Sequence, residues 1–324
     1  MKRIGVLTSG GDGPGLNPCI RAVVRMGIHL GMSVMGIRRG YAGLIAGEIE
    51  ELTLRSVGGI LGRGGTFLST SRSAEFTTPQ GQLTALRNLH RFDIEGLVVI
   101  GGNGSLTGAQ KLHEQGVKVI GLPGTIDNDL GGTDITIGVD TALNTILDAI
   151  DKIKDTASSH NRAFIIETMG RNCGYLALMG ALAGGAELAL IPEHNDVSLE
   201  AVSNVLKDVY VRGKNHCIII VAEGWKPGTA ALSAYLNAQK EQQGFEVRTT
   251  VLGHVQRGGS PTAYDRILAT RLGAAAAEAL HAGRSGVMIG WIDGKIAETP
   301  IEEVIKPTNK IKPDVLRLAR IMER

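Results

Sequence analysis

The sequence predicts an α/β protein built on mostly parallel sheets. Short continuous apolar runs recur along the chain, each run leads into a glycine-rich turn, and most of these turns open onto a stretch patterned as a helix. Unbroken β-branched runs are what strands covered on both faces require. Strand, turn and helix in alternation give a parallel sheet. The runs are residues 3–7, 97–100, 117–120, 163–166 and 217–221, and the predicted helices cover 14–31, 106–115, 140–158, 175–183 and 199–212. Met1-Lys2-Arg3 resembles the basic start of a signal peptide, but the apolar stretch after it is too short, so it reads as a first buried strand.

At 324 residues the chain can hold two medium domains with proper cores. Its formal charge of +2, from 34 basic and 32 acidic residues, gives no basic surface for nucleic acid or membrane. Aromatics at 4% are too few for base-stacking platforms, and no apolar run reaches the roughly 18 residues of a membrane span. Cys19, Cys173 and Cys217 are odd in number and far apart, which argues against a disulfide framework or a zinc site and for a reducing, cytoplasmic setting. The Gly131-Gly132 turn reads as a domain crossing. Lys306, Lys310, Lys312, Arg317 and Arg320 read as a solvated helix face near the C-terminus.

Ligands of parallel sheets bind outside the carboxyl ends of the strands, where these turns fall. Gly10-Gly11-Asp12-Gly13-Pro14-Gly15 links a strand to a helix, with Pro14 suited to the first helical turn. Glycines there let backbone N–H groups approach an anion at a helix N-terminus. Gly101-Gly102-Asn103-Gly104-Ser105 repeats the arrangement, and Gly62-Arg63-Gly64-Gly65-Thr66 leads on to Arg72. Two such loops suit a nucleotide or polyphosphate, although the chain has neither a Walker motif nor a GxGxxG fingerprint. The missing fingerprint removes a dehydrogenase reading.

Gly124-Thr125-Ile126-Asp127-Asn128-Asp129 places two carboxylates at i and i+2 after a buried strand. One can take a proton from a hydroxyl while the other serves Mg²⁺; the same residues also fit an Asx turn with solvated aspartates. Arg162, Arg171, Arg248 and Arg257 lie beside glycine, histidine or a strand start, where guanidinium forks suit phosphate monoesters. Any one of them alone reads as a surface ion-pair member, and His254 alone reads as structural.

Taken together, these residues resemble the bacterial ATP-dependent 6-phosphofructokinases over nearly the whole chain. The likeness is densest in Thr8-Ser9-Gly10-Gly11-Asp12, Arg63-Gly64-Gly65-Thr66, residues 121–129, Met169-Gly170-Arg171 and residues 252–265. It implies two similar three-layer α/β/α domains, with the active site in the cleft between them. The larger, nucleotide-binding domain would span 1–138 and 252–304, and the smaller, sugar-phosphate-binding domain 139–251 and 305–324. The implied activity is the glycolytic transfer of a phosphoryl group from ATP to the 1-hydroxyl of fructose 6-phosphate, with Mg²⁺, in a cytoplasmic allosteric homotetramer.

The resemblance assigns roles residue by residue. Asp127 is the general base, Thr125 and Arg171 stabilise the transferring group, and Asp129 serves Mg²⁺ and the reacting centre. Gly11, Tyr41, Arg72, Ser73, Gly102, Asn103, Gly104 and Ser105 hold the nucleotide, with Asn103 also at the metal. Met169, Gly170, Glu223 and His254 surround the sugar, while Arg162, Arg248 and Arg257 hold its 6-phosphate, the first two reaching over from a neighbouring subunit. Arg21, Arg25 and Glu187 match the effector pocket. Leu54, Gly58, Gly59 and Gly213 replace polar groups of that pocket, which implies weak regulation by ADP and phosphoenolpyruvate.

Further departures shape the expectations. Asn103 stands where the family has an aspartate, implying weaker Mg²⁺–ATP binding that Asp129 partly offsets. Ser73 replaces an aromatic residue, and Thr77 and Gln82 replace arginines, in the adenine pocket. Gly104 and Gly124 stand where pyrophosphate-dependent members carry Asp and Lys, which leaves room for ATP. The alternatives are a pyrophosphate-dependent enzyme, for which Asn103 speaks, and a catalytically silent, sugar-phosphate-binding subunit, against which Asp127, Asp129 and Arg171 speak.

Overall fold

The structure, a computed structural model, describes residues 1–308 and 311–322; Lys310 of the basic stretch lies outside the described residues. The chain divides into two compact units, Met1–Thr141 with Arg257–Thr308 and Ala142–Gln256 with Asn309–Arg324. The first carries β1 (Arg3–Ser9), α1 (Leu16–His29), β2 (Ser33–Ile37), α2 (Gly40–Ala46), β3 (Ile49–Leu52), α3 (Pro79–Arg91), β4 (Gly96–Gly101), α4 (Asn103–Glu114) and β5 (Lys118–Pro123). The second carries most of α5 (Val139–His160), then β6 (Arg162–Thr168), α6 (Tyr175–Gly184), β7 (Leu188–Leu190) and α7 (Leu199–Val211). It continues with β8 (Cys217–Ala222), α8 (Thr229–Ala238), α9 (Lys240–Gln243) and β9 (Glu246–Val251). Back in the first unit follow α10 (Ala263–His281), β10 (Val287–Ile292), β11 (Lys295–Pro300) and α11 (Ile301–Val304), and α12 (Pro313–Met322) returns to the second.

The first unit's sheet runs β11-β10-β5-β4-β1-β2-β3, with every pair from β10 to β2 parallel and the two edge strands antiparallel. Alternate residues of its central strands feed two cores, as a sheet covered on both faces requires. Ile4, Val6, Val98 and Ile100 pack with α1 and α10, while Leu7, Leu97 and Val99 pack with Leu44, Leu89 and Leu106 on the other side. The edge strand β3 presents Glu50 and Glu51 to solvent, charge that discourages further strand pairing. The second unit's sheet, β7-β8-β6-β9, is entirely parallel. Its strand β8 is buried throughout, with Cys217, Ile219 and Val221 on the face that packs against α7 and α8.

The fold class is therefore the mostly parallel α/β arrangement that the glycine-punctuated strands predict. The units do not divide at residues 138 and 251, however. Asp265 in the first unit binds Gly138 and Thr141, keeping residues 139–141 there, while Leu252 N–H donates to Glu167 and Gln256 accepts from Met169, keeping 252–256 with β6. At the other end Ile305 packs in the first unit's core and donates to Ile301, so the return to the second unit comes after residue 304 as well. The Gly131-Gly132 turn is no crossing: it packs inside the first unit, where a Cβ on Gly132 would lie 2.6 Å from Thr299 Oγ1. Among the described residues no helix is long and apolar enough to cross a membrane, and Cys19, Cys173 and Cys217 are all buried.

Helices α1 and α10 approach closely because small residues line their contact: a Cβ on Gly273 would lie 2.6 Å from the Cys19 carbonyl and 2.9 Å from Ala22 Cβ. Gly273→Val should therefore lower stability by about 1–3 kcal/mol, the usual cost of overpacking. Better helix propensity returns at most about 1 kcal/mol. The check is a urea midpoint that falls at unchanged slope.

Candidate active site

In the first unit, β1 and β4 are neighbours, yet the chain leaves β1 toward β2 on one side and β4 toward β5 on the other. This is the sheet's switch point, where ligands of such sheets bind. The two turns after these strands are packed backbone to backbone. A Cβ on Gly101 would lie 2.5 Å from both the Ser9 carbonyl and Ser105 Oγ, and one on Gly10 would lie 3.1 Å from Ser105 Oγ. Gly102 faces Thr125, whose Cβ a methyl there would meet at 3.4 Å. Asn103, Gly104 and Ser105, read in the sequence as loop, form the first turn of α4. Amides of a helix's first turn point outward along its axis, a geometry suited to an anion.

Tyr41 is buried, stacked on Phe76 at 3.9 Å between ring centroids, and its hydroxyl donates to the Ser105 carbonyl at 2.6 Å. Burial pushes its phenol well above the ordinary range. It braces the start of α4 from below. Ser73 lies near this pair, its hydroxyl accepting the Phe76 N–H at 3.2 Å, and Arg72 is exposed beside it. The Gly62–Thr66 stretch is fixed by Asn17, which donates to the Arg63 and Gly64 carbonyls at 3.0 and 3.1 Å and accepts the Phe67 N–H.

The carboxylate turn follows β5. Asp127 is 2% exposed and its N–H donates to Thr125 Oγ1 at 3.1 Å. Asn128 is fully buried at φ 51°, a conformation few residues adopt without compensation. The compensation is its amide, which donates to the Asp134 carbonyl and accepts the Thr136 N–H at 3.0 Å. Thr136 Oγ1 donates to the Thr125 carbonyl at 2.6 Å. Asp127, buried, and Asp129, half-buried, thus flank the residue that anchors the turn.

Arg257 also lies in this unit, against the phosphate turn: its Nη1 donates to the Asp12 carbonyl at 3.0 Å and fills the space where a Cβ of Gly11 would be, 2.4 Å away. Gly104 faces open space, as the room for a nucleotide requires. Gly124 does not. A side chain there would meet Leu16 at 2.8 Å and Ile100 at 3.0 Å, so packing alone demands glycine at this position.

In the second unit the ends of β6, β8 and β9 gather Met169, Gly170, Arg171, Glu223 and His254. Glu223 Oε1 accepts the Gly170 and Arg171 N–H groups at 3.1 and 2.7 Å, and buried Gln256 accepts the Met169 N–H at 2.8 Å. Gly170 at φ 148° and Arg171 at φ 53° turn the chain sharply enough to expose the Arg171 side chain. Arg162 and Arg248 stand elsewhere, at the amino ends of β6 and β9, where both pair with Glu246. The Arg162 hydrogen bond holds the Glu246 carboxyl below its usual range. Arg162 and Met169 are separated by the whole of β6, about 20 Å of strand.

Of the effector candidates, Arg21 and Arg25 lie one turn apart on α1, in the first unit. Glu187 is buried in the second, accepting from Lys214 Nζ at 3.0 Å and from the Ile218 N–H at 2.7 Å. Sequence reasoning missed Asn17, Thr136, Gln256 and Asp265, polar residues that hold the site without facing it. Only Asp265 left a trace, as the fourth residue of a Thr262-Ala263-Tyr264-Asp265 helix start: Thr262 caps α10 by accepting the Asp265 N–H.

Close-packed glycine turns at a switch point, beside a turn that carries two aspartates, are what a phosphate-handling α/β protein requires. The chain belongs to the phosphofructokinase family, whose model matches residues 3–280. It is 55% identical over 320 residues to an ATP-dependent 6-phosphofructokinase of Natranaerobius thermophilus, covering 99% of both chains. It is equally 55% identical, over 323 residues and 99% of both chains, to ATP-dependent 6-phosphofructokinase 1 of Thermus thermophilus. Among solved structures, phosphofructokinase from Saccharomyces cerevisiae matches with a TM-score of 0.88 at 37% identity, covering all of this chain and 48% of that one, about half its length. A pyrophosphate-dependent phosphofructokinase from Marinobacter aquaeolei matches with a TM-score of 0.86 at 21% identity over 99% of this chain and 91% of that one, a likeness of fold alone.

Proposed function

We propose that this chain transfers the γ-phosphoryl group of ATP to the 1-hydroxyl of fructose 6-phosphate, giving fructose 1,6-bisphosphate and ADP. The observation that carries this reading is the packing of the Gly10–Gly15 and Gly102–Ser105 turns at the β1/β4 switch point beside the turn that holds Asp127. Relatives 55% identical along their whole length bear the name of that activity, which favours ATP over pyrophosphate. Gly104 supports the same choice through the open space in front of it.

Asp127 takes the proton of the 1-hydroxyl as its oxygen attacks the γ-phosphorus, and Thr125 and Arg171 offset the charge on the transferring group. Gly11, Arg72, Ser73 and Gly102 to Ser105 hold the nucleotide, with Tyr41 acting through Ser105. Met169, Gly170, Glu223, His254 and Arg257 hold the sugar phosphate. Among the described residues no group of three or more His, Cys, Asp or Glu could hold a metal ion. The donors here, the Asn103 amide oxygen and the Asp129 carboxylate, fit a Mg²⁺ carried mainly by nucleotide phosphates and water. Bound there, it supplies neutralisation of phosphate charge.

Arg162 and Arg248 serve the 6-phosphate held by a second copy of the chain, within a homotetramer. The length of β6 between Arg162 and Met169 supports this assignment. Arg21, Arg25 and Glu187 are each assigned to effector binding, which Leu54, Gly58, Gly59 and Gly213 weaken.

Assays with Mg²⁺ should give turnover with ATP and little with pyrophosphate, and Asp127→Asn should lower kcat by about 10²–10⁴-fold. Turnover mainly with pyrophosphate would overturn the donor. Mixing Arg162→Ser chains with Asp127→Asn chains should restore part of the activity that each lacks; failure of mixed oligomers to recover any would remove the shared site. Saturation by fructose 6-phosphate should be nearly hyperbolic and little changed by ADP or phosphoenolpyruvate, and a steep sigmoid relieved by ADP would contradict the weakened pocket.

A further inference from the structure

Resting on the functional reading above, we propose that Asp265 is a positioning residue for phosphoryl transfer: its buried carboxylate clasps residues 138–141 and thereby fixes the turn that bears Thr125, Asp127 and Asp129. Asp265 is 0% exposed. Its Oδ1 accepts the Gly138 N–H at 2.8 Å, and its Oδ2 accepts the Thr141 N–H at 2.8 Å and the Thr141 hydroxyl at 2.6 Å. All three donors are neutral. A carboxylate buried among neutral donors costs more desolvation than an amide would, but it alone offers two coplanar acceptor oxygens to three donors.

The strip just before Gly138 is what holds the carboxylate turn. Ile137 N–H donates to the Pro123 carbonyl at 2.8 Å and Ile137 forms a bridge with Gly124. Thr136 bonds the Thr125 carbonyl and the Asn128 side chain, and Asn128 in turn bonds the Asp134 carbonyl. The strip therefore fixes the turn, and Asp265 fixes the end of the strip. Gly138 sits at φ 105°, where a Cβ would lie 2.9 Å from the Pro14 carbonyl, so the clasped backbone has no slack on the side of the phosphate turn either. Asp265 itself is rigidly based: it stands in the first turn of α10, eight residues after Arg257, and a Cβ on Gly15 would lie 3.7 Å from its own Cβ. One side chain thus ties the start of α1, the strip under Asp127 and the loop of Arg257 to a common base.

The test pairs Asp265→Asn, which removes one acceptor and the charge, with Thr141→Val, which keeps the charge and removes the hydroxyl that donates to Asp265 and accepts the Thr262 N–H. Each full-length variant is assayed about 20 °C below its own midpoint of thermal unfolding. Fructose 6-phosphate binding is measured by calorimetry, and hydrogen exchange is followed at the Thr136 and Gly138 amides. Displacement of a reacting group by about 1 Å costs of the order of 10²-fold. Asp265→Asn should accordingly lower kcat by roughly ten-fold or more while the Kd for fructose 6-phosphate stays within about three-fold. Thr141→Val should lower kcat less, and the double variant should lose little beyond Asp265→Asn, since both act through one contact. Exchange should quicken at residues 136 and 138 and stay unchanged in β1 and β4.

A folded Asp265→Asn protein with kcat unchanged would overturn the proposal, leaving Asp265 a purely structural residue. So would a parallel loss of sugar-phosphate binding, which would mark general distortion. If Asp265→Asn does not fold, Thr141→Val decides: a lower kcat at unchanged Kd supports the clasp, and an unchanged kcat overturns it. Absence of turnover in the unmodified protein would instead overturn the functional reading itself.

Discussion

Parallel strands all release their chain at one edge of the sheet, and in the first unit β1 and β4 release theirs side by side. Nothing bulky can stand between the two exits. Ser9, Gly10, Gly101 and Gly102 meet there with almost no side-chain volume, and even Ser105 Oγ is wedged against Gly101. This crowding sets the two turns backbone to backbone, and it also explains why the neighbouring turn after β5 must be held from behind. A turn with glycine on its flank cannot be propped by packing from that side, so polar groups do the propping. Asn128, Thr136 and the Asp265 clasp supply them.

The second unit reaches a similar end by other means. Its strand ends have fewer glycines, and the sharp turn through Gly170 and Arg171 is stabilised by one carboxylate, Glu223, that receives two successive amides. A carboxylate accepting backbone donors in this way serves as a template for the chain and for whatever the exposed Arg171 addresses. At the far edge of the same sheet Glu246 plays a different part, bringing Arg162 and Arg248 together as a pre-formed cationic pair whose charge it partly offsets.

The strands and helices that border the glycine turns were legible in the sequence because buried parallel strands are written as unbroken apolar runs. The antiparallel edge strands β3 and β11 were not: Glu50, Glu51, Lys295 and Glu298 make them read as loop. Of helix α10 the sequence showed only that a helix follows the loop of residues 253–260, because its alanine-rich middle gives little contrast between the buried and exposed faces from which bounds are read. Residues that touch phosphate or sugar in the family could be carried over from their motifs, and those that support them could not. Asn17, Gln256 and Asp265 act through backbone atoms remote in sequence, and no local spacing encodes such a partner. Gly124 is the reverse case. It was legible as a functional glycine, while its packing against Leu16 and Ile100 shows that the core also requires it.

The guanidinium of Arg257 rests in the space that Gly11 leaves empty. Residues 11 and 257, in the two separate chain segments of the first unit, therefore cannot be varied independently. Any side chain introduced at 11 evicts the guanidinium, so a substitution aimed at the Gly10–Gly15 turn also disturbs the Arg257–Asp12 contact. Residues in such contact couple, whereas Gly104 on the α4 side opens onto free space and can be varied without touching this pair.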